Sequence, residues 1–296
     1  MAPTRDNRRG ILSMIVAMAA FNLSDALTKL ATTTLPLGET IAVRGFFAAA
    51  MVVVWVSVAG DWQRIGRIAD SRVGWRLVGE LGATLFYLAA LVHVALPNVS
   101  AVFQATPLAM TVAAAVVLKE TVGPARWLLV AIGFVGVTVI VRPGLEGFEP
   151  HSILVLISVG FVVVRDIATA RLAGVAPTSL VTLITAVAVT LLGLALFPFE
   201  DFLSTQPVWR LPSLGETILL AATAAALLTG YTGLIEATRL AETAAIAPYR
   251  YMLLVWSLIF GRALFGDVPD RWTLIGAAIV VGTGLAGLRL EQRRRS

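Results

Sequence analysis

The chain has 296 residues, of which 58% are hydrophobic and 14% are charged, and its net charge is +5. A soluble domain carries about a quarter of its residues as charged side chains, so this composition excludes an ordinary soluble protein and indicates a membrane protein. Cysteine is absent, which excludes disulfides and thiolate metal sites.

Ten apolar segments follow one another along the chain, and each is close to the roughly 20 residues that a helix needs to cross a bilayer. The connections between them are short and contain turn residues, such as the Pro-Gly pair at 143–144. This pattern predicts an all-α membrane protein with ten transmembrane helices, at 10–33, 38–60, 73–94, 97–118, 124–142, 151–173, 177–197, 214–237, 243–265 and 271–289.

The last five segments resemble the first five, which predicts a duplication into two repeats, 1–147 and 148–296. Trp127 and Trp272, for example, stand 145 residues apart at matching places. Because each repeat has an odd number of spans, the second must enter the membrane in the opposite sense to the first. Two inverted repeats around a central site form the scaffold of many secondary transporters.

Basic residues set the expected orientation. With the amino terminus in the cytoplasm, most Lys and Arg residues outside the spans fall in cytoplasmic segments, as the positive-inside rule requires. We therefore expect both termini in the cytoplasm, in a multi-pass protein of a bacterial inner membrane. The same distribution accounts for the positive net charge without a nucleic-acid partner.

A series of residues at defined places identifies a resemblance. They are Arg44 in the second span, the small-residue stretch from Ala95 to Pro107, then Glu120, Trp127, Gly133 and Gly136, and Asp267 in the second half. In this order they resemble the drug/metabolite transporter superfamily, and specifically its EamA-type members, which usually have Glu where this chain has Asp267. The sequence as a whole is most similar to bacterial aromatic amino acid exporters.

The resemblance implies a secondary transporter that exports small metabolites, above all aromatic or other apolar amino acids, by alternating access around a central cavity. A multidrug or amine exporter of the same fold and a passive metabolite channel are the alternatives. The expected partners are a small-molecule substrate and the lipid bilayer, and a monomer is compatible with the sequence.

Arg250 is the strongest candidate for contact with substrate. It lies between Tyr249 and Tyr251 in the ninth span, and a guanidinium can hold a carboxylate through two parallel hydrogen bonds. The two tyrosines could stack on an aromatic ring. The alternatives are an ion pair of Arg250 with Glu236 or Glu242, and an interfacial position for the tyrosines.

Five further side chains are expected to line the cavity. Phe103 and Gln104 come just before a proline that kinks the fourth span. Tyr87 and Tyr231 lie near the middle of their spans, and Asn22 lies on a polar face of the first span. If the substrate is an aromatic amino acid, the aromatic side chains would form the ring pocket, and the two amides would bind the amino group. Hydrogen bonding between helices is the alternative for Gln104.

Five ionisable residues inside the spans are expected to form gating contacts or structural ion pairs, because charge is costly within a bilayer. Asp25 and Lys29 are four residues apart on one helix and can pair. Arg165 and Asp166 are neighbours that point about 100° apart on a helix, so they need not pair with each other. Arg44 lies inside the second span, where a structural or gating ion pair is expected. Proton binding at Asp25 and Asp166 is the alternative.

Enzyme activity is not expected. The two histidines, His93 and His151, are far apart in the predicted topology, and the sequence contains neither a His-Glu-x-x-His motif nor a phosphate-binding loop. We therefore assign no catalytic residue and no metal ligand, and we expect no cofactor.

Overall fold

A computed structural model describes residues 6–172, 175–203 and 208–295. Every regular element in these ranges is helical. The longer helices are α1 (Asn7–Ala31), α2 (Leu37–Ala59), α3 (Ser71–His93), α4 (Leu96–Phe103), α5 (Thr106–Val116), α6 (Pro124–Val141), α7 (Ser152–Arg171), α8 (Thr178–Ala195), α10 (Leu214–Leu240), α12 (Met252–Phe260) and α13 (Arg271–Arg295). Short elements complete the order: α9 (Glu200–Leu203), α11 (Thr243–Ile246), 3₁₀ turns at Asp61–Ala69, Phe197–Phe199 and Ala247–Tyr251, and a π-helical turn at Gly261–Phe265.

Nine candidate membrane spans lie within the described residues, by helix length and hydropathy. Helices α4 and α5 together form one of them, Leu96–Val116, which corresponds to the predicted fourth span. The predicted span 243–265 is missing from the nine because it is divided between α11, a 3₁₀ turn, α12 and a π-helical turn. The all-helical, multi-pass prediction is thus confirmed, while the number ten remains a prediction.

The break between α4 and α5 has a local cause. Pro107 has no N–H to donate to the carbonyl of Phe103, four residues earlier. The hydroxyl of Thr106 donates to that carbonyl instead, at 2.6 Å. The predicted kink is therefore a full interruption of the helix at Gln104 and Ala105.

The described contacts divide the chain into two compact units. Unit 1 contains Met1–Ala26, Val94–Leu156 and Ala226–Ser296, and unit 2 contains Leu27–His93 and Ile157–Ala225. Each unit therefore takes helices from both halves of the sequence, and its boundaries differ from those of the predicted repeats. The repeats concern similarity along the chain, whereas the units reflect which helices pack together.

Within each unit, the most extensive packing joins helices at matching places in the two predicted repeats. In unit 2 these helices are α2 and α8, and in unit 1 they are α6 and α13. The matched residues Trp127 and Trp272 lie near the beginnings of α6 and α13. An inverted duplication predicts this pairing, because equivalent helices meet at its pseudo-two-fold axis.

Glycines allow both helix pairs to approach closely. In unit 2, a Cβ atom on Gly193 would lie 2.6 Å from the carbonyl oxygen of Gly38. In unit 1, a Cβ atom on Gly276 would lie 2.6 Å from the carbonyl oxygen of Gly136. Real Cβ atoms do not come this close to backbone oxygens, so the observed crossings need glycine at both positions. Small residues serve the same purpose in other membrane helix pairs.

Unit 1 has a compact apolar core at the beginning of α1. Its buried members come from α1, α10, α11 and the residue that follows α10, and they are Met14, Ala17, Met18, Ala237, Ala241 and Ile246. We call this group the apolar cluster. Phe21, Tyr249, Leu253 and Trp256 pack around it, so the cluster fixes the aromatic side chains of α1 and of the segment 247–260 relative to each other.

Candidate functional site

Asn22 is a buried polar side chain that links two other segments of unit 1. It lies one turn beyond Met18 on α1 and is fully buried. Its Nδ2 donates to the carbonyl oxygen of Leu253 at 3.0 Å and to the hydroxyl of Ser100 at 3.4 Å. Because a carbonyl can only accept, this bond fixes which end of the amide is nitrogen. The buried Oδ1 has no partner among the described residues.

Two other buried polar atoms belong to residues that lie about one turn along the chain from the two residues that Asn22 contacts. Gln104 follows Ser100 by one turn, since its backbone N–H donates to the Ser100 carbonyl at 3.2 Å. Trp256 follows Leu253 by three residues in α12. In the described part of the chain, Gln104 Nε2 and Trp256 Nε1 are both buried without a hydrogen-bond partner. A buried polar atom without a partner is costly, so each of these atoms requires an explanation.

The breaks in the fourth and ninth spans fall at matching places. The interruption between α4 and α5 lies at Gln104 and Ala105, and the offset of 145 residues from Trp127 to Trp272 moves it to Tyr249 and Arg250. Those residues lie in the 3₁₀ turn Ala247–Tyr251, and α4 packs against α12. Interrupted helices at corresponding places in two repeats are typical of transporter binding sites.

Unit 1 also holds two pairs of aromatic side chains. The rings of Phe21 and Tyr231 meet edge to face with their centroids 5.2 Å apart. The rings of Trp256 and Phe260 are nearly parallel, with centroids 5.8 Å apart and an angle of 20° between their planes. Unit 1 therefore combines flat apolar surfaces with neutral hydrogen-bonding atoms.

The other aromatic residues predicted for the site in this unit have mixed surroundings. Phe103 is half-buried beside the break, and Tyr249 packs against the apolar cluster. The hydroxyl of Tyr251 touches Gly284 of α13, where only a residue without a Cβ leaves room. Tyr251 therefore has a packing role, and its contact with substrate remains a prediction.

Arg250 lies in the 3₁₀ turn and is exposed. Among the described residues it forms no ion pair with Glu236 or Glu242, the partners considered from the sequence. Its role toward a carboxylate remains a prediction.

Unit 2 contains a network of charged side chains. Arg165 lies 2.9 Å from Asp166 and 3.7 Å from Glu80, and Arg76 also lies 3.7 Å from Glu80. Arg76 donates to the hydroxyl of Thr185. Arg165 and Asp166 thus pair although neighbouring side chains diverge on a helix, because the long arginine folds back toward the carboxylate. The network joins α3 to α7 and α8.

The remaining predicted residues lie on α1, α2 and α3. Arg44 is buried in unit 2 and donates to the hydroxyl of Thr28 at 3.2 Å. Tyr87 is half-buried on α3, also in unit 2. Asp25 and Lys29 are half-buried on α1, where the boundary between the two units falls between them.

A second polar group of unit 2 was not predicted from the sequence. Glu200 accepts hydrogen bonds from the backbone N–H of Gly38 at 2.7 Å and from the indole of Trp209 at 3.0 Å. Arg210 donates to Glu216 at 2.9 Å, and this hydrogen bond raises the pKa of the Arg210 side chain above its ordinary value. These contacts attach the segment 208–216 to the beginning of α2.

A cavity of about 650 Å³ opens beside this group. It is lined mainly by apolar side chains, including Phe46, Phe47, Leu194 and Leu211, with Glu39 and Arg210 among them. None of the site residues predicted from the sequence lines this cavity.

The sequence singled out Asn22 and Gln104, whose contact with substrate remains a prediction, but not Ser100, Leu253 or Trp256, which lie beside them in the chain or contact Asn22. Ser100 lies in the small-residue stretch of the fourth span, which is a weak signal. Leu253 acts through its carbonyl oxygen, so its side chain gives no signal. Trp256 lies in the same apolar segment as Tyr249, a few residues after the 3₁₀ turn that breaks this segment. This position could have identified it.

Comparisons with known proteins identify relatives of this chain. Residues 8–142 match the family model described as the EamA-like transporter family. A riboflavin transporter of Vibrio cholerae is 25% identical over 92% of this chain and 90% of its own length. An S-adenosylmethionine uptake transporter of Rickettsia prowazekii is 24% identical over 97% of this chain and 95% of its own.

Two further matches extend over nearly the whole chain. A pseudopaline exporter of Pseudomonas aeruginosa is 24% identical over 96% of this chain and 98% of its own length. A solved crystal structure superposes with a TM-score of 0.63, covering 98% of this chain and 100% of that chain at 20% identity, which shows that the two share a fold. The match of residues 8–142 to the EamA-like family model supports the predicted family, and the closer resemblance to aromatic amino acid exporters remains a prediction.

Proposed function

We propose that this chain, a member of the EamA-like transporter family, is a secondary transporter whose substrate site lies within unit 1 at the breaks in its fourth and ninth spans. One observation carries the proposal. Asn22, Gln104 and Trp256 hold buried polar atoms without partners beside these two breaks. A substrate with complementary groups would satisfy them.

The proposed mechanism is alternating access between two inverted five-helix repeats. We include the segment 243–265 as the tenth span, since interrupted helices are tolerated in membranes where they line a cavity. With ten spans, both termini lie on the same side, and the positive-inside rule places that side in the cytoplasm of a bacterial inner membrane.

The substrate is proposed to be a small metabolite with a flat ring. Trp256, Phe260, Phe21 and Tyr231 supply ring surfaces in unit 1, and such surfaces bind flat apolar groups. Riboflavin and S-adenosylmethionine, for which two of the relatives are named, both contain a planar nitrogen heterocycle. None of the relatives described above is named for aromatic amino acids, which stay in the set of candidates because of Arg250.

The charged network of unit 2 is proposed to hold helices together. Glu80 lies between Arg76 and Arg165, so each cation has an anion close by and the cost of bringing charge into the membrane is reduced. We propose that Arg44, which is buried and donates to Thr28, also holds helices together.

Counterflow in proteoliposomes tests the proposal. Vesicles are loaded with unlabelled solute, and uptake of the same labelled solute is measured for riboflavin, S-adenosylmethionine, tryptophan and phenylalanine, with and without a pH gradient. A carrier gives saturable uptake that internal solute accelerates. Uptake that neither saturates nor responds to internal solute would indicate the channel alternative. The Asn22→Leu protein is the matched variant, and we expect its uptake to be at least tenfold weaker at low solute concentration.

A further inference from the structure

The cavity of unit 2 is an elongated groove. Its walls come from α2, α8, the segment 208–212 and the beginning of α10. On α2 the lining extends from Glu39 to Phe47, which corresponds to a rise of about 12 Å along the helix. The volume of about 650 Å³ lies within the range of about 300–1,000 Å³ that is usual for sites of small organic ligands. The groove is therefore long and large enough to hold an extended chain.

The polar side chains of the groove are already engaged by other parts of the protein. They are Glu39, Thr190, Trp209, Arg210 and Thr217. The two threonine hydroxyls donate to backbone carbonyls four residues earlier, and the Trp209 indole donates to Glu200. Glu39 accepts from the backbone N–H of Arg210 at 3.3 Å, and the Arg210 guanidinium pairs with Glu216. The remaining surface of the groove is mainly carbon, so it favours a hydrocarbon ligand over a charged one.

Exposed apolar side chains recur at matching intervals on both helices of the groove. At positions i, i+4 and i+7 they are Phe46, Ala50 and Val53 on α2, and Val187, Leu191 and Leu194 on α8. This spacing puts the members of each series on one helix face. Both helices are candidate membrane spans, so these apolar faces meet hydrocarbon in the bilayer. Because Phe46 and Leu194 belong to these faces and also line the groove, the groove opens toward the lipid.

We infer that this groove binds one acyl chain of a membrane phospholipid. The chain lies between α2 and α8 and packs against Phe46, Phe47 and Leu194, which line the groove. Since the positive charge of Arg210 is balanced by Glu216, the groove selects the chain and not the headgroup. The inference requires only that α2 and α8 span the membrane, and it is independent of the solute that the protein carries.

Photochemical cross-linking of the chain in liposomes tests the inference. The probes are phosphatidylethanolamine and phosphatidylglycerol with identical acyl chains, one of which carries a diazirine near its end, and each probe is a minor component of the bilayer. After irradiation, peptide mass spectrometry measures the label on residues 42–47, which include the groove lining of α2, and on residues 50–54, which lie outside it. The ratio of the two labels corrects for the amount of folded protein and for general contact with lipid.

Two tryptophan substitutions on α8 form a matched pair. Leu194→Trp puts a large ring into the groove, whereas Leu191→Trp adds the same ring to the exposed face of α8, outside the groove lining. In the original protein we expect more label on residues 42–47 than on residues 50–54, with the same ratio for both headgroups. Leu194→Trp should lower this ratio about fivefold, because the ring fills the space of the chain. Leu191→Trp should leave the ratio within about twofold of the original value, because the groove stays open.

Three results would overturn the inference. Equal labelling of residues 42–47 and 50–54 in all three proteins would show ordinary lipid contact without a site. Labelling by only one of the two phospholipids would make the headgroup the recognised part. Loss of the groove label on addition of riboflavin, S-adenosylmethionine or an amino acid would assign the groove to that solute. A lack of saturable counterflow would contradict the transport proposal and would leave the labelling result as it stands.

Discussion

Among the described residues, the buried polar side chains of unit 1 are neutral, and those of Asn22, Gln104 and Thr273 each hold an atom without a hydrogen-bond partner, whereas in unit 2 four buried side chains are ionisable. Glu80 of unit 2 lies between two arginines, and Glu200 accepts two hydrogen bonds from neighbouring segments. Both units are built around a pair of matching helices with glycine at the crossing. The same helix-pair scaffold therefore carries buried neutral polar side chains in unit 1 and buried ionisable side chains in unit 2.

The difference indicates that the two units have different functional roles. Charges that pair with other charged protein groups, as Glu80 does with Arg76 and Arg165, stabilise the arrangement of helices. Neutral groups with unused atoms weaken the folded state unless a ligand completes them. We therefore assign recognition to unit 1 and structural support to unit 2, and the following predictions test that assignment from the largest expected effect to the smallest.

The largest effect is expected at the glycine crossings that the two units share. Gly193→Ala in unit 2 and Gly276→Ala in unit 1 each place a methyl group against the backbone of the partner helix. We expect each to cost about 3 kcal/mol through overpacking, seen as a lower melting temperature and less monodisperse protein in detergent.

Two other glycines provide the controls for that experiment. A Cβ atom on Gly160 of α7 or on Gly282 of α13 would meet no atom within 4 Å. Gly160→Ala and Gly282→Ala should therefore match the original protein or exceed it in stability, since alanine favours helix over glycine. Equal behaviour of all four variants would contradict the role of the crossings.

The next effect is expected from breaking the charged network of unit 2. Glu80→Gln leaves Arg76 and Arg165 without the carboxylate between them. Because these side chains are largely buried, we expect a loss of about 2 kcal/mol, measured as a lower melting temperature, with an unchanged KM for transport. Glu146→Gln, at an exposed loop position, is the control and should change neither quantity.

A smaller effect on substrate affinity is expected from a single atom of unit 1. Trp256→Phe keeps the aromatic surface and removes the buried Nε1–H that has no protein partner. One hydrogen bond contributes about 1 kcal/mol, so KM should rise about threefold to tenfold with little change in stability. Trp75→Phe, at a tryptophan of α3 that is 64% exposed, should leave KM unchanged, and an equal rise in both variants would argue against recognition by unit 1.

The smallest effect concerns the beginning of α13. Burial raises the pKa of Asp270, but hydrogen bonds from Thr273 and the ion pair with Arg142 outweigh it, so this pKa lies below its ordinary value. The ionised Asp270 carboxylate therefore contributes its full stabilisation of the folded state above the unfolded pKa of about 4. This stabilisation is lost as the pH falls through the lower folded pKa.

Asp270→Asn isolates this contribution, because asparagine keeps the cap at the start of α13 and removes the charge. The carboxylate is partly exposed, so we expect a loss of less than about 1 kcal/mol. The difference in melting temperature between the original protein and the variant should be constant from pH 7 to pH 5 and should shrink below pH 4. A difference in melting temperature that grows as the pH falls would contradict the lowered pKa of Asp270.

The parts of this account that could be predicted from sequence are those with a local cause. Nine of the ten predicted spans correspond to candidate spans among the described helices, because span length and hydropathy are properties of a single helix. Pro107 predicted a kink because a proline removes one particular hydrogen bond. Asn22 was singled out by the polar face it shares with Asp25 on α1, and Gln104 by its place just before Pro107. Both are buried in the structure, and their contact with substrate remains a prediction.

The rest depends on contacts between distant parts of the chain. The unit boundaries within α1, α7 and α10 follow from helix packing, to which no single segment points. The exposure of Arg250 and its lack of an ion pair with Glu236 or Glu242 depend on where the 3₁₀ turn directs its side chain. The carbonyl of Leu253, which fixes the Asn22 amide, belongs to a group that every residue carries.

The most direct test of the division between the units is the KM of one transported solute in Asn22→Leu and in Glu80→Gln, compared at equal amounts of folded protein. The account predicts that Asn22→Leu raises KM at least tenfold, and that Glu80→Gln lowers the melting temperature while its KM stays within about twofold of the original value. A large rise of KM in Glu80→Gln together with an unchanged KM in Asn22→Leu would place recognition in unit 2 and contradict the account.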